Sequence, residues 1–229
     1  MAARLNAIFF DWNGTLLADT LCCWRASNIV LEHLGKAPVS MQKYRAHFNV
    51  PLDQMYRAFG CSAQELIDRF DVIHDVWNSA YDNQVKKARL RRGARALLHA
   101  LNKKPEHSVI LSNQTIANIA SHIQRLDVHD CFTALLANDA PGPAFVKRNK
   151  GERLNRYLNE RRISRAIIVG DTEEEIDIAK EHGLVSIAIT DGVCSTRRLK
   201  AAKPDFLIDS LTEIPAIADR VFGLQKEAA

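Results

Sequence analysis

Apolar residues follow two rhythms along this chain. Short runs at 6–10, 108–112, 132–137, 166–170, 185–189 and 205–208 are mostly apolar. Strands buried on both faces read this way, because neither side of the pleat meets water. Between them lie stretches of helical period. Ala94, Leu97, Leu98 and Leu101 form one stripe, and Ile116, Ile119, Ile123 and Leu126 form another. Strands alternating with helices predict βαβ units around a parallel sheet.

Residues 17–90 break the alternation, since they hold no clear strand. Leu66, Phe70, Ile73, Trp77 and Tyr81 make one helical stripe, and Leu21, Trp24, Leu31 and Leu34 suggest another. Pro38 and Pro51 punctuate the interval. The pattern predicts an α/β, Rossmann-like core formed by 1–16 and 91–229, interrupted by an all-helical cap at 17–90. The aromatic stripes are expected to form the cap's own core or its docking face. The tail, Gln225 to Ala229, is expected to fray.

The strand ends carry the chemistry. Asp11 closes the first apolar run and is followed by Trp12-Asn13-Gly14-Thr15-Leu16. The C-terminal edge of a parallel sheet is where α/β folds place their ligands. Gly14 and Thr15 suit a tight loop whose N–H groups face an anion. Asp11 is therefore a candidate nucleophile or metal ligand. The second run ends in Ser112-Asn113, and the fourth in Gly170-Asp171-Thr172-Glu173-Glu174-Glu175. Lys147 and Lys150 lie between these two strands in sequence. Lys150 is favoured because Gly151 and an amphipathic helix follow it directly.

These residue types in this order point to phosphoryl transfer. Asp11 and Asp171 facing each other would repel unless a cation lay between them. Oxygen donors alone suit Mg²⁺. Ser112 would donate to a phosphoryl oxygen while a lysine balances the growing negative charge. Glu175, in competition with Glu174, would hold a metal-bound water from behind the direct ligands.

The same pieces resemble the haloacid dehalogenase-like hydrolase superfamily, in the family's order and from about residue 6 to residue 215. Ala202-Lys203-Pro204-Asp205-Phe206 and Ser210-Leu211-Thr212-Glu213 resemble its last strand and helix. The insert matches the small helical cap of phosphoglycolate phosphatase-like members. The resemblance implies a Mg²⁺-dependent phosphohydrolase that acts on a small phosphorylated metabolite through an aspartyl-phosphate. It makes Asp11 the nucleophile, gives the metal the Asn13 backbone carbonyl and the Asp171 side chain, and leaves Gly14, Thr15 and Asn113 to contact the phosphate.

Asn13 departs from the family's pattern, which has a second Asp there as acid and base. An amide cannot take either role by ionising, and such catalysis is typically worth ~10²–10⁴ in rate. One consequence is a phosphatase whose substrate leaves easily or takes its proton from water or the cap. Another is cleavage of a phosphonate with a cap lysine, for which Lys43 is the candidate. A third is binding of a phosphorylated ligand without turnover. Retention of the Asp171 cluster speaks against metal-free dehalogenation. Arg45 and His47, in the cap, are candidates to reach a leaving group. Asn13-Gly14 is also a sequence prone to deamidation.

The remaining features narrow the picture slightly. A net charge of +4 is too small to argue for nucleic acid. The basic cluster Lys86, Lys87, Arg89, Arg91, Arg92 and Arg95 is expected at a solvated hinge. Five scattered cysteines, Cys22, Cys23, Cys61, Cys131 and Cys194, contain no C-x-x-C pair and read as reduced thiols of a cytoplasmic protein. The first apolar run is too short for a signal peptide, and none approaches the ~20 residues that cross a membrane.

Overall fold

A computed structural model describes residues 5–104, 106–140 and 142–223. Gln225 to Ala229 therefore lie outside the described residues. Six strands, β1 (Leu5–Phe10), β2 (His107–Thr115), β3 (Ala134–Asn138), β4 (Ile163–Gly170), β5 (Val185–Ile189) and β6 (Phe206–Ile208), form one sheet in the order β3-β2-β1-β4-β5-β6. Every pairing is parallel. Both faces are covered, which explains the continuous apolar runs. Along β1, Ile8 and Phe10 pack into one core, while Ala7 and Phe9 pack into another that contains Leu154 and Tyr157.

Between β1 and β2 the chain forms α1 (Thr20–His33), α2 (Met41–His47), α3 (Leu52–Ala58), α4 (Ala63–Asp68), α5 (Phe70–Val85) and α6 (Ala94–Leu101). The segment from α1 to α5 contains no named strand, so the insert is helical. Its two connections to the sheet meet at an antiparallel bridge between Leu17 and Leu90. The Ala18 N–H donates to the Arg89 carbonyl at 2.9 Å, and the Arg91 N–H to the Leu16 carbonyl at 2.8 Å.

Two details differ from the periodicity. The stripe from Leu66 to Tyr81 spans two helices, because the backbone breaks at Arg69, which ends α4 and precedes α5. In α1, Leu21 faces solvent, and the buried side is made by Cys23, Ala26, Ser27, Val30 and Leu31. Small residues there let α1 lie close to α5.

The remaining helices are α7 (Ile116–Arg125), α8 (Pro143–Val146), α9 (Lys150–Arg161), α10 (Glu173–Glu181), α11 (Thr196–Ala202) and α12 (Ile214–Gly223). α9 and α10 begin at the same sheet edge where β1, β2 and β4 end. Their first turns therefore face the strand-end side chains. Among the described residues, no helix is long and apolar enough to cross a membrane.

Candidate active site

Asp11 follows β1 directly, and its N–H donates to the Val169 carbonyl of β4 at 2.9 Å. That bond continues the ladder and fixes the carboxylate at the sheet edge. Lys150, the first residue of α9, reaches across and donates from Nζ to Asp11 Oδ1 at 2.7 Å. It also bonds Glu175 Oε1 and lies 3.9 Å from Glu174 Oε2. Lys150 is 2% exposed, whereas Lys147 faces solvent. Of the two lysines, Lys150 is the one that the start of α9 brings to Asp11.

Asp171 is fully buried. Thr15 Oγ1 donates to its Oδ1 at 3.0 Å, and the Val193 N–H donates to its Oδ2 at 2.6 Å. The carboxylate occupies space that side chains at Gly14 and Gly192 would fill, since a Cβ at either would overlap it. Gly14 also has φ +73°, a conformation other residues adopt at a cost.

Four buried carboxylates, Asp11, Asp171, Glu174 and Glu175, face a single buried ammonium. Burial pushes Asp11 well above the usual carboxylate range against the pull of Lys150, and Glu175 and Asp171 push it further. Asp171 is pushed up to about 6 by burial and by Glu175. Burial pulls the Lys150 ammonium down, but Asp11, Glu175 and Glu174 outweigh it and hold the lysine charged. A surplus of anionic oxygen suits a hard cation, but among the described residues no three His, Cys, Asp or Glu side chains are grouped closely enough to hold one as they stand. Glu174 adds a buried Oε1 with no partner among the described residues. Its Oε2 accepts from Asn113 Nδ2 at 2.7 Å. Glu174 lines the cavity, while Glu175 is turned to Lys150 and to the Thr172 cap of α10.

Ser112 is 1% exposed and lines the same cavity. Its Oγ accepts from the Gln114 N–H at 3.2 Å, which leaves its own proton free. Arg153 Nη2 donates to the Ser112 carbonyl at 2.8 Å and Nη1 to Asn138 Oδ1 at 2.6 Å. The end of β2 is thereby clamped against α9 and β3.

Asn13 lines the cavity, but its amide points elsewhere. Nδ2 lies 2.6 Å from Asp19 Oδ2 and 2.8 Å from Tyr81 Oη. Tyr81 Oη itself donates to Asp19 Oδ2 at 2.6 Å, and the Gly14 N–H donates to Oδ1 at 2.8 Å. Asp19 is fully buried, and burial raises its pKa while these donors oppose the rise. A carboxylate beside the amide demands the NH₂ group on that side. The orientation of the Asn13 amide is therefore fixed by Asp19.

Several of these groups carry no signal in the sequence. Asp19 stands just before α1 and reads as an N-cap, yet it makes no side-chain cap bond. Tyr81 belongs to an apolar stripe that looks like core. Arg91 comes from the basic cluster, but its guanidinium is half-buried and bonds the carbonyls of Gly14 at 2.6 Å and Thr190 at 2.8 Å. Arg95 likewise bonds the Leu126 carbonyl at 2.6 Å. The cluster expected to be solvated thus contributes two structural ties.

The cap residues singled out from sequence are not drawn into the cavity. Arg45 donates to the Asp191 carbonyl at 2.9 Å and so latches the cap to the loop after β5. His47 packs edge-on to Phe59, and Lys43 lies over the same ring with its side chain exposed. All five cysteines are free thiols.

Known proteins resemble this chain over most of its length. A curated phosphoglycolate phosphatase of Rhodobacter capsulatus is 25% identical over 197 residues, covering 83% of this chain and 86% of the relative. A phosphoglycolate phosphatase of Synechococcus elongatus is 24% identical over 211 residues, covering 92% of this chain and 95% of the relative. The solved structure of a haloacid dehalogenase-like hydrolase from Streptococcus pneumoniae superposes with a TM-score of 0.76 at 23% identity, covering 95% of this chain and 99% of that one. The family model described as haloacid dehalogenase-like hydrolase matches residues 8–189, from the strand that carries Asp11 to the end of β5. With most of its length inside that match, the chain belongs to the haloacid dehalogenase-like hydrolase family.

Proposed function

We propose that the protein is a Mg²⁺-dependent phosphatase that hydrolyses a small phosphorylated substrate through a phosphorylated Asp11. The observation that carries this reading is the Lys150–Asp11 contact at 2.7 Å in a cavity that Ser112 and Asp171 also line. Residues 17–90 act as the cap and 1–16 with 91–229 as the core; the Leu17–Leu90 bridge marks the seam.

Mg²⁺ would be held by Asp11, Asp171 and the Asn13 carbonyl, with Glu174 or Glu175 behind them. It would supply positive charge to offset that of the phosphate. The chain's own residues do the rest. Lys150 engages one oxygen of Asp11, which leaves the other to attack phosphorus. Ser112 donates its free proton to a phosphoryl oxygen, beside Asn113. Attack forms the bond from Asp11 to phosphorus and breaks the bond to the leaving oxygen. That oxygen takes its proton from water, because Asn13 has none to give. Water then cleaves the acyl phosphate and releases inorganic phosphate, restoring Asp11. Asn13, an amide, cannot remove that water's proton by ionising.

Lys43 is exposed over Phe59 and takes no place in the cavity wall, so the phosphonate-cleaving alternative loses its cap lysine. The test is phosphate release from aryl and alkyl monophosphates with Mg²⁺ and with a chelator. Activity that needs Mg²⁺ and vanishes in Asp11→Asn is expected. Equal turnover by Asp11→Asn would overturn the reading.

A further inference from the structure

We propose that the substrate is the phosphate ester of an uncharged, apolar alcohol, and not a phosphorylated carboxylic acid such as phosphoglycolate. The proposal rests on the phosphatase reading and specifies its leaving group.

The cavity above Asp11 measures about 160 Å³. The phosphoryl group would take the end lined by Asp11, Ser112 and Asp171, and the space under the cap is left for the alcohol. Its far wall is built by the cap and by α8. Phe48, Leu52, Met55, Ile73, Trp77 and Phe145 supply most of it. Among the described residues that line the cavity, Lys150 is the only lysine or arginine, and it is already bound to Asp11.

Several polar groups on the cap side are taken up within the wall. Ser27 Oγ accepts from Trp77 Nε1 at 3.3 Å. Cys23 Sγ is 3.6 Å from Asp19 Oδ2. His74 Nδ1 and Asn78 Nδ2 are paired at 3.3 Å, and burial lowers the His74 pKa against the pull of Asp75 and Asp71. The cap's cations point away: Arg45 is spent on Asp191, and Lys43 is exposed.

A carboxylate pushed into this space would lose its water and find no counter-charge. Unpaired buried charge is among the most costly arrangements in a protein interior. An apolar group there gains by leaving water and meets a wall that already fits it.

Benzyl phosphate and 2-phosphoglycolate are both esters of primary alcohols, so neither is favoured as an activated aryl ester would be. The experiment is kcat/KM for each with Mg²⁺, beside the Leu52→Lys variant, whose new ammonium starts from a half-buried position on α3. Benzyl phosphate is expected to be preferred by roughly a hundredfold or more. Leu52→Lys should narrow that gap by raising phosphoglycolate turnover. Equal rates, or faster phosphoglycolate, would overturn the proposal while leaving the phosphatase reading intact. Turnover of neither ester would instead count against the phosphatase reading. Calorimetric binding then decides the pocket: tighter binding of benzylphosphonate than of phosphonoacetate supports the proposal, and the reverse order overturns it.

Discussion

Asn13→Asp is the substitution for which the geometry makes the most specific demand. In the parent, the Asn13 amide donates to Asp19 Oδ2 at 2.6 Å. The variant replaces that donor with a carboxylate oxygen. Two carboxylate charges about 4 Å apart repel by roughly 4 kcal/mol at an effective dielectric of about 20. The proton shared by the pair is therefore held above the ordinary carboxylate range. Asp19 is already raised by burial, so the pair has little access to relief from water. The folded pKa then lies above the unfolded one. Relative to the parent, the variant is unpenalised below about pH 4 and loses stability as pH rises to the raised pKa, by up to about 4 kcal/mol. The assay is urea unfolding of Asn13→Asp, Asp19→Asn and the double variant from pH 4 to pH 8. The double variant reverses donor and acceptor, so it should abolish the pH-dependent loss. A carboxyl kept protonated near neutrality also supplies the missing acid, and turnover of alkyl esters should rise by up to ~10²–10⁴. A stability difference that is flat with pH, with Asp19→Asn strictly additive, would refute the contact and the argument built on it.

Other outcomes follow from the same site. Lys150→Met leaves the carboxylates without their ammonium, and metal-free protein should lose about 3–5 kcal/mol at pH 8; the loss should shrink at pH 5, where raised carboxylates take up protons, as unfolding curves at the two pH values would show. Gly192→Ala places a Cβ inside the Asp171 carboxylate; a cost of about 1–3 kcal/mol, with loss of Mg²⁺-dependent phosphate release, is expected. Burial and Arg125 push His122 down to about 4, and it accepts from Trp12 Nε1 at 3.3 Å; stability should therefore fall as pH drops from about 6.5 to about 4, and His122→Phe should flatten that slope in thermal melts. The Gly14 N–H is tied to Asp19, which keeps it from attacking the Asn13 amide; peptide mapping after prolonged incubation should find Asn at position 13 in the native protein and Asp only after unfolding.

What could be read from the chain divides along a physical line. Strands β1, β2, β4 and β5 announce themselves, because a strand covered on both faces has no freedom to be polar. Asp11, Ser112 and Asp171 are legible for the opposite reason: each breaks such a run at its end, where a polar residue has no packing purpose. The strand limits were less legible. β2 runs on to Thr115, which pairs with Asn138 after a shift in register, and no apolar residue marks that extension.

The supporting groups were hidden because their partners are distant in sequence. Tyr81 is 62 residues from Asp19, and Arg91 is 77 from Gly14. Each presents locally as something ordinary: a member of an apolar stripe, or a charge in a basic run. Only the closing of α5 and the Leu90 connection against the loop after Asp11 gives them their function.

That closing also gives a reason for Asn at position 13. Asp19, Tyr81 and the Gly14 N–H already form a buried carboxylate with its donors, and the remaining place beside Asp19 Oδ2 calls for an N–H. Asn fills it, whereas Asp would need a proton held against water. The residue that weakens the acid–base chemistry is therefore the one that completes the link between the cap and the loop bearing Asp11. Tyr81→Phe separates these roles. It removes the Tyr81 hydroxyl's bonds to Asp19 and Asn13 but leaves the Asn13–Asp19 bond and the Lys150–Asp11 contact. If the link positions Asn13, kcat should fall with KM little changed, and Asn13→Asp should gain less in the Tyr81→Phe background than in the parent. If Tyr81 is only a packed ring, stability alone should drop, by about 1–3 kcal/mol, and the two substitutions should act independently on kcat.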